Sequence, residues 1–252
     1  MKFIKTYEKY GIENPKRIKK HVNQGGGALD IFRRMADTYY NIGKKEFNTG
    51  LSVYKDILIE LKRIFKKKVD VDTIKYLNNG SYGMAFDAGD KVIKITTDAT
   101  EAEIAEKLIK KKYKNCVRYY EVVHIPTYDI YAILMDKAET LNKKEIAIID
   151  LLREYDGHFE YDKSTKSYHP MGEYLSMKNL LSKLKGYKVT KIELQKYINA
   201  YFEMIDSLAE QKIPSDDAHS LNVGWLKGKL VHFDIIGNIP GKVKPIKKLK
   251  FK

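Results

Sequence analysis

Three residues near the end of the chain carry the strongest chemical signal. Asp217 and Asn222 lie in Asp217-Ala-His-Ser-Leu-Asn222, and Asp234 closes Val231-His-Phe-Asp234. Asp and Asn are poor strand formers, yet here they adjoin strand-like runs. Val223-Gly-Trp-Leu226 and Lys229-Leu-Val-His-Phe233 flank Lys227-Gly228 and read as a hairpin. A hairpin entered at Asn222 and left at Asp234 brings both side chains to one end. Carboxylate and amide oxygens placed together suit Mg²⁺, a hard cation that prefers oxygen ligands. Asp and Asn also cap turns at strand ends, so taken alone these residues leave a structural role equally open.

A second group lies more than a hundred residues earlier. In Leu77-Asn-Asn-Gly80-Ser81-Tyr82-Gly83-Met-Ala85, the two glycines allow a turn to bring backbone N–H groups against an anion. Asn79-Gly80 is equally an ordinary hairpin turn. Lys94 follows in Val92-Ile-Lys94, and a helical stretch carrying Glu101, Glu103 and Glu106 comes next.

The elements that position these residues follow from hydrophobic period. Residues 1 to about 70 read as helical, broken at Gly25-Gly-Gly27, with a stripe at Leu29, Phe32, Ala36 and Tyr39. After Ser52, a suitable N-cap, Tyr54, Ile57, Leu58, Leu61, Ile64 and Phe65 keep helical spacing. From residue 73 the period becomes that of strands. Five are expected, at Ile74–Leu77, Gly83–Asp87, Lys91–Thr96, Val117–Val123 and Ile130–Met135. One helix, about Ala99 to Lys112, interrupts them after the third. The chain turns helical again at Asn142-Lys-Lys-Glu145, a capping-box-like start, and at Thr190-Lys-Ile-Glu193, which opens a long helix reaching about Gln211. The polar stretch from Gly157 to Gly172 reads as loop. These elements predict an α+β fold with four regions: a helical extension (1–70), a small antiparallel-sheet lobe (71–138), a reduced helical lobe holding the Asp217 loop (139–240) and a basic tail (241–252).

Composition narrows the function classes. With 252 residues, 43% hydrophobic and 32% charged, the chain can bury a substantial core. No apolar run reaches the roughly 20 residues of a membrane span, and the start has no signal-peptide pattern, so a cytoplasmic protein is expected. The single cysteine, Cys116, excludes an internal disulfide; Asn115-Cys-Val-Arg-Tyr-Tyr120 reads as a buried strand start rather than a nucleophile's setting. The six histidines show no zinc-like spacing, and the 19 tyrosines follow no nucleic-acid motif. The net charge of +14 suits an acidic partner or polyanion, but the basic runs are dispersed.

Taken in order, the two groups resemble the protein-kinase-like superfamily across residues 73–238. Gly80-Ser81-Tyr82-Gly83 matches its glycine-rich loop, with Asn78 in place of the first glycine and Ala85 at the small position against the nucleotide base. The resemblance makes Lys94 the lysine that holds the ATP α- and β-phosphates, with Glu103 as its helix partner and Glu106 as the fallback. Ile133-Leu-Met-Asp-Lys-Ala138 becomes the hinge: Met135 is the gatekeeper, and the Asp136 carbonyl and Ala138 N–H bind adenine. Asp217 becomes the catalytic Asp, and Asn222 and Asp234 the Mg²⁺ ligands. A compact, phage-type serine/threonine kinase is similar, with comparable Lys94-Ile-Thr96 and Glu101-Ala-Glu103 stretches.

There are departures. Ser215 and Asp216 stand where most protein kinases have His and Arg, His219 replaces a common Lys, and Gly237 follows Asp234 one position late. Only 15 residues follow Gly237, with no helical platform for a peptide. The resemblance therefore implies an ATP- and Mg²⁺-dependent phosphotransferase, first a serine/threonine kinase acting on a protein. The other expectations are a small-molecule kinase, favoured by Asp217-x-His219-x-x-Asn222, a pseudokinase serving as a binding or inhibitor module, and, from charge alone, a nucleic-acid binder.

Overall fold

The computed structural model of the chain describes residues 58–79, 83–109, 111–126, 128–172, 175–235, 239 and 245–248. The stripe expected at Leu29–Tyr39 lies outside these residues. By internal contacts the chain divides into two units. Unit 1 is Met1–Lys110, Arg118–Lys137 and Gly241–Lys252; unit 2 is Lys111–Val117 and Ala138–Pro240. The division is not a linear succession of regions, because a short piece before the fourth strand belongs to unit 2 and the tail belongs to unit 1.

Unit 1 is built on a sheet of order β1-β2-β3-β5-β4-β11. Its strands are β1 (Lys75–Asn79), β2 (Gly83–Ala88), β3 (Lys91–Thr96), β4 (Tyr119–Ile125), β5 (Ile130–Asp136) and β11 (Lys247–Lys248). The five expected strands form, and all pair antiparallel. The two-residue β11, expected only as basic tail, runs parallel to β4 at its edge. Alternation along the strands divides the side chains between two faces. Met84, Phe86, Ile93, Ile95, Ala132 and Leu134 share one face with Leu61 and Phe65 of helix α1 (residues 58–65) in a single apolar cluster. The Leu58, Leu61, Ile64 and Phe65 part of the expected stripe is therefore a helix face that packs on this side of the sheet, and Ser52, Tyr54 and Ile57 lie outside the described residues.

Helix α2 (Ala99–Leu108) follows β3, as expected. Asp98 caps it, accepting a hydrogen bond from the Thr100 N–H. Ala102, Ile104, Ala105 and Leu108 are its buried face, and it packs on β3, β4 and β5.

Unit 2 contains α3 (Lys143–Glu154), α4 (Met177–Lys183), α5 (Lys191–Glu210) and two small sheets. The capping box at α3 is present. The Asn142 carboxamide oxygen accepts from the Glu145 N–H at 3.1 Å, and Glu145 Oε2 accepts from the Asn142 N–H at 2.7 Å. The other carboxylate oxygen of Glu145 accepts from Tyr197 Oη and Trp225 Nε1. One capping carboxylate thus joins α3, α5 and the hairpin that follows the Asp217 loop. At α5 the Thr190 hydroxyl caps the Glu193 N–H, and the Glu193 carboxylate pairs with Lys144.

The Gly157–Gly172 stretch is a correction. It holds a hairpin, β7 (Phe159–Asp162) with β8 (Ser167–Pro170), and is not plain loop. Its rings stack on α5 through Phe159–Phe202 and Tyr168–Phe202. Side chains of α5 act as a strand edge, with Asn199 Oδ1 accepting from the Tyr168 N–H and Gln195 Nε2 donating to the Tyr168 carbonyl.

The three-stranded sheet β10-β9-β6 carries the hairpin expected after Asn222: β9 (Val223–Leu226) and β10 (Lys229–His232), with β6 (Glu139–Thr140) beside β9. Lys227 and Gly228 both take positive φ at the turn. Gly224 is required by the close pairing: a Cβ there would lie 2.5 Å from the Glu139 carbonyl oxygen. No helix among the described residues is long and apolar enough to cross a membrane.

Candidate active site

The unit 1 residues are placed by strand register. Ala85 pairs with Lys94, and Lys94 with Ile133, so these three side chains share the face opposite the α1 cluster. Val92 and Met135, two residues away in β3 and β5, pair on the same face, and Met135 is buried. A lysine on a sheet face needs a counter-charge. Lys94 Nζ meets Glu101 Oε1 at 2.5 Å, with the two side chains only 17% and 14% exposed.

The partner of Lys94 is therefore Glu101, in place of the expected Glu103. Helical geometry gives the reason. Glu101 stands four residues before Ala105 and seven before Leu108, on the buried stripe. Glu103 is turned about 200° from Glu101 and is exposed. Glu106 is half-buried and has interactions of its own.

Gly83 also has a different reason from the one expected. A Cβ there would lie 2.4 Å from the Ile95 carbonyl oxygen and 3.4 Å from Lys94 Cε. The close approach of β2 to β3 beside Lys94 accounts for this glycine without an anion. Gly80, Ser81 and Tyr82 lie outside the described residues.

In the expected hinge, Asp136 ends β5. Its N–H donates to the Arg118 carbonyl, and its carboxylate accepts from Tyr120 Oη at 2.6 Å. Lys137, the last residue of this unit 1 segment, donates its N–H to the Asp90 carbonyl and its ammonium to Asp87. Ala138 is the first residue of the longer unit 2 segment, so the unit boundary falls inside the expected hinge.

The unit 2 residues are placed by a loop that holds itself. After α5 the chain turns at Ser215–Ala218, where the Ala218 N–H donates to the Ser215 carbonyl and Arg153 Nη2 to the Asp216 carbonyl. Asn222 Nδ2 then donates twice, to Asp217 Oδ2 at 2.6 Å and to the Asp217 carbonyl at 3.1 Å. His219 Nδ1 accepts from the Leu221 N–H at 3.2 Å, which puts the proton of a neutral ring on Nε2. Nε2 faces Asp217 Oδ1 at 3.4 Å, an electrostatic contact. Both carboxylate oxygens of Asp217 are thus oriented by the loop. The N–H of Phe233 donates to the Asn222 carbonyl, which brings Asp234, the next residue, beside the loop.

The residues fit a hard cation. Because Asn222 donates to Asp217 through its nitrogen, its Oδ1 is turned away from Asp217, and Asp234 adds a carboxylate. Both are oxygen donors of the kind Mg²⁺ takes. No group of three or more His, Cys, Asp or Glu with metal-binding geometry occurs among the described residues.

Sequence reasoning reads His232 as a structural residue of the hairpin. It is fully buried in β10, and neither ring nitrogen makes a well-formed hydrogen bond among the described residues, although the ring lies against the Asp217 backbone. Burial pulls its imidazole down to about 4, against the fields of Asp234 and Asp217. Its backbone bonds the segment before β4: the His232 N–H donates to the Asn115 carbonyl, and the Val117 N–H to the His232 carbonyl. Cys116, bridged to His232, is buried, and its thiol is pushed up to about 12 by desolvation. Cys116 is a packing residue at a strand start, as its sequence context suggests.

No family model matches the chain, and no curated protein matches it. Among solved structures it is similar to aminoglycoside phosphotransferase APH(4)-Ia, at 12% identity over 71% of each chain, with a TM-score of 0.34. A ternary complex of a thermostable mutant of that protein with AMP-PNP and hygromycin B gives 11% identity over 69% of each chain and a TM-score of 0.33. Its apo form gives 15% identity over 70% of this chain and 69% of the other, with a TM-score of 0.33. So distant a likeness carries no residue roles. The α+β order itself, an antiparallel sheet with one helix after its third strand and then a helical part, is the order implied by the protein-kinase resemblance.

Proposed function

We propose that the chain is an ATP- and Mg²⁺-dependent phosphotransferase acting on a hydroxyl, with a serine or threonine of a protein as the acceptor. The observation that carries this reading is the Asp217 loop. A half-buried carboxylate is held by Asn222 on one oxygen and faced by His219 on the other, immediately before a strand pair followed two residues on by a second Asp. Turn capping alone does not require Asn222 to bond the Asp217 side chain as well as its backbone.

In this reading Asp217 orients the attacking hydroxyl and receives its proton. Lys94, steadied by Glu101, offers a fixed positive charge to phosphate oxygens. Ala85 and Met135 supply small and apolar surface for a base, with the Asp136 carbonyl and Ala138 N–H as its polar partners. Asn222 and Asp234 hold Mg²⁺, which neutralises phosphate charge when bound.

A small-molecule acceptor is the second reading, favoured by one observation. Only residues 235–246 separate Asp234 from β11, which pairs into the unit 1 sheet. So short a segment cannot supply the helical platform on which larger kinases seat a peptide.

The experiment is transfer from γ-labelled ATP in a cell lysate, comparing wild type with Asp217→Ala. Label on protein that vanishes in the variant supports the first reading, and label only on small molecules supports the second. Equal transfer by both proteins removes Asp217 from the mechanism. A melting shift with ATP and Mg²⁺, absent in Lys94→Ala, tests nucleotide binding separately.

A further inference from the structure

We infer that the connector between α4 and α5, far in sequence from the Asp217 loop, is a docking surface for an acidic protein segment with an apolar residue among its acids. The stretch Leu175–Ile192 contains five lysines and no acidic residue. Lys185, Lys188 and Lys191 are exposed, as is Lys196 one turn beyond Ile192 on α5. Glu193 pairs with Lys144 and also feels Lys196, and Glu154 pairs with Lys183, which leaves Lys185, Lys188 and Lys191 with no ion pair among the described residues. Like charges gathered with few counter-charges raise the local potential and favour an anionic partner.

Charge alone would describe a solvated face. Two apolar side chains set among the lysines say more. Ile192 is 74% exposed and Tyr187 44%, although both neighbour well-anchored positions. Leu180, Leu184 and Leu194 are buried and pin the connector, and the Tyr187 N–H donates to the Leu184 carbonyl. Lys188 takes a positive φ of 52° there, so the turn has a defined shape. The surface is therefore held from beneath while its apolar groups are presented outward. Gly186, with nothing within 4 Å of a Cβ built there, leaves open space beside Tyr187.

The occupant follows from this mixture. A nucleic-acid backbone would satisfy the lysines, and Tyr187 could stack on a base. An aliphatic Ile192 offers neither charge nor a stacking face, but it is buried readily by the apolar side chain of a peptide. A protein segment with acids flanking a leucine or similar residue satisfies both sets. The inference does not depend on the phosphotransferase reading, because binding is measured directly.

The test is fluorescence anisotropy of the full chain with three labelled probes: a peptide of repeating Glu-Glu-Leu, one of repeating Glu-Glu-Ser, and duplex DNA, each at two salt concentrations. The leucine peptide is expected to bind more tightly than the serine peptide. K185E/K188E/K191E should weaken it about tenfold or more, and Ile192→Ser should erase the preference for leucine. Circular dichroism and melting temperature, unchanged in both variants, exclude unfolding as the cause. The proposal is overturned by absence of peptide binding, by binding indifferent to the lysine reversals, or by DNA binding that exceeds peptide binding and ignores Ile192→Ser.

Discussion

Lys94 and Asp217 are positioned by opposite strategies. Lys94 sits in mid-strand, and its place is fixed by register with Ala85 and Ile133 and by an ion pair to the first turns of a capped helix. Asp217 sits in a loop, and its place is fixed by side chains of that loop, Asn222 and His219. The first arrangement inherits its precision from the sheet. The second carries its own hydrogen bonds and is also tied to its surroundings at Asp216 by Arg153, at the Asp217 backbone by His232 and at Asn222 by the Phe233 N–H. Damage to unit 1 should therefore register first as lost stability, and damage to the loop as lost chemistry.

The largest expected effect tests the loop. Asp217→Ala should reduce labelled transfer by about 10³-fold while leaving the melting temperature nearly unchanged. A large fall in melting temperature would show that the loop supports the fold. Next come the two glycines that permit close strand approach, one in each unit. Gly83→Ala and Gly224→Ala each press a Cβ onto a carbonyl oxygen and should cost about 3 kcal/mol in urea unfolding. If Gly83→Ala were neutral in stability but abolished nucleotide binding, the glycine would belong to the anion loop after all.

A similar magnitude is expected from pH. His232 has its imidazole lowered from 6.5 to about 4, so the unfolded chain binds more protons between those values. Stability from this group is complete above pH 6.5 and is lost as pH falls toward 4, by on the order of 3 kcal/mol. Urea midpoints across that range should show the loss, and His232→Phe should flatten it. The smallest effects separate the glutamates. Glu101→Gln should lower nucleotide-dependent transfer about tenfold, and Glu103→Gln should leave it unchanged.

Much of the α+β order was legible because it rests on periodicity. The five strands, the helix after the third and the hairpin after Asn222 all follow from runs of two- or near-four-residue period. Glu101 was missed because the resemblance placed the partner of Lys94 at Glu103, with Glu106 as the fallback. The better signal was in the helix itself, where Glu101 shares a stripe with Ala105 and Leu108. The β7–β8 hairpin was missed because its strands are polar and gain burial through rings that meet Phe202 of α5, such as Tyr168, 34 positions before it. His232 was legible as a structural residue of the hairpin but not as one with unsatisfied nitrogens, since a histidine in a strand reads alike whether or not they find partners. β11 has two residues, too few for any period to register.

The bonds of His232 to Asn115 and Val117 also constrain when the molecule can fold. The Asn115 side chain donates to the Leu230 carbonyl, 115 positions along the chain. During synthesis, the piece before β4 leaves the ribosome long before its partner strand exists. The unit 1 sheet must then form around an unsatisfied segment, or wait for β10. Closing a loop that long carries a large entropic penalty in the transition state and slows folding. Refolding of the intact chain should accordingly contain a slow phase, sensitive to Asn115→Ala, that reports the arrival of the strand leading to Asp234.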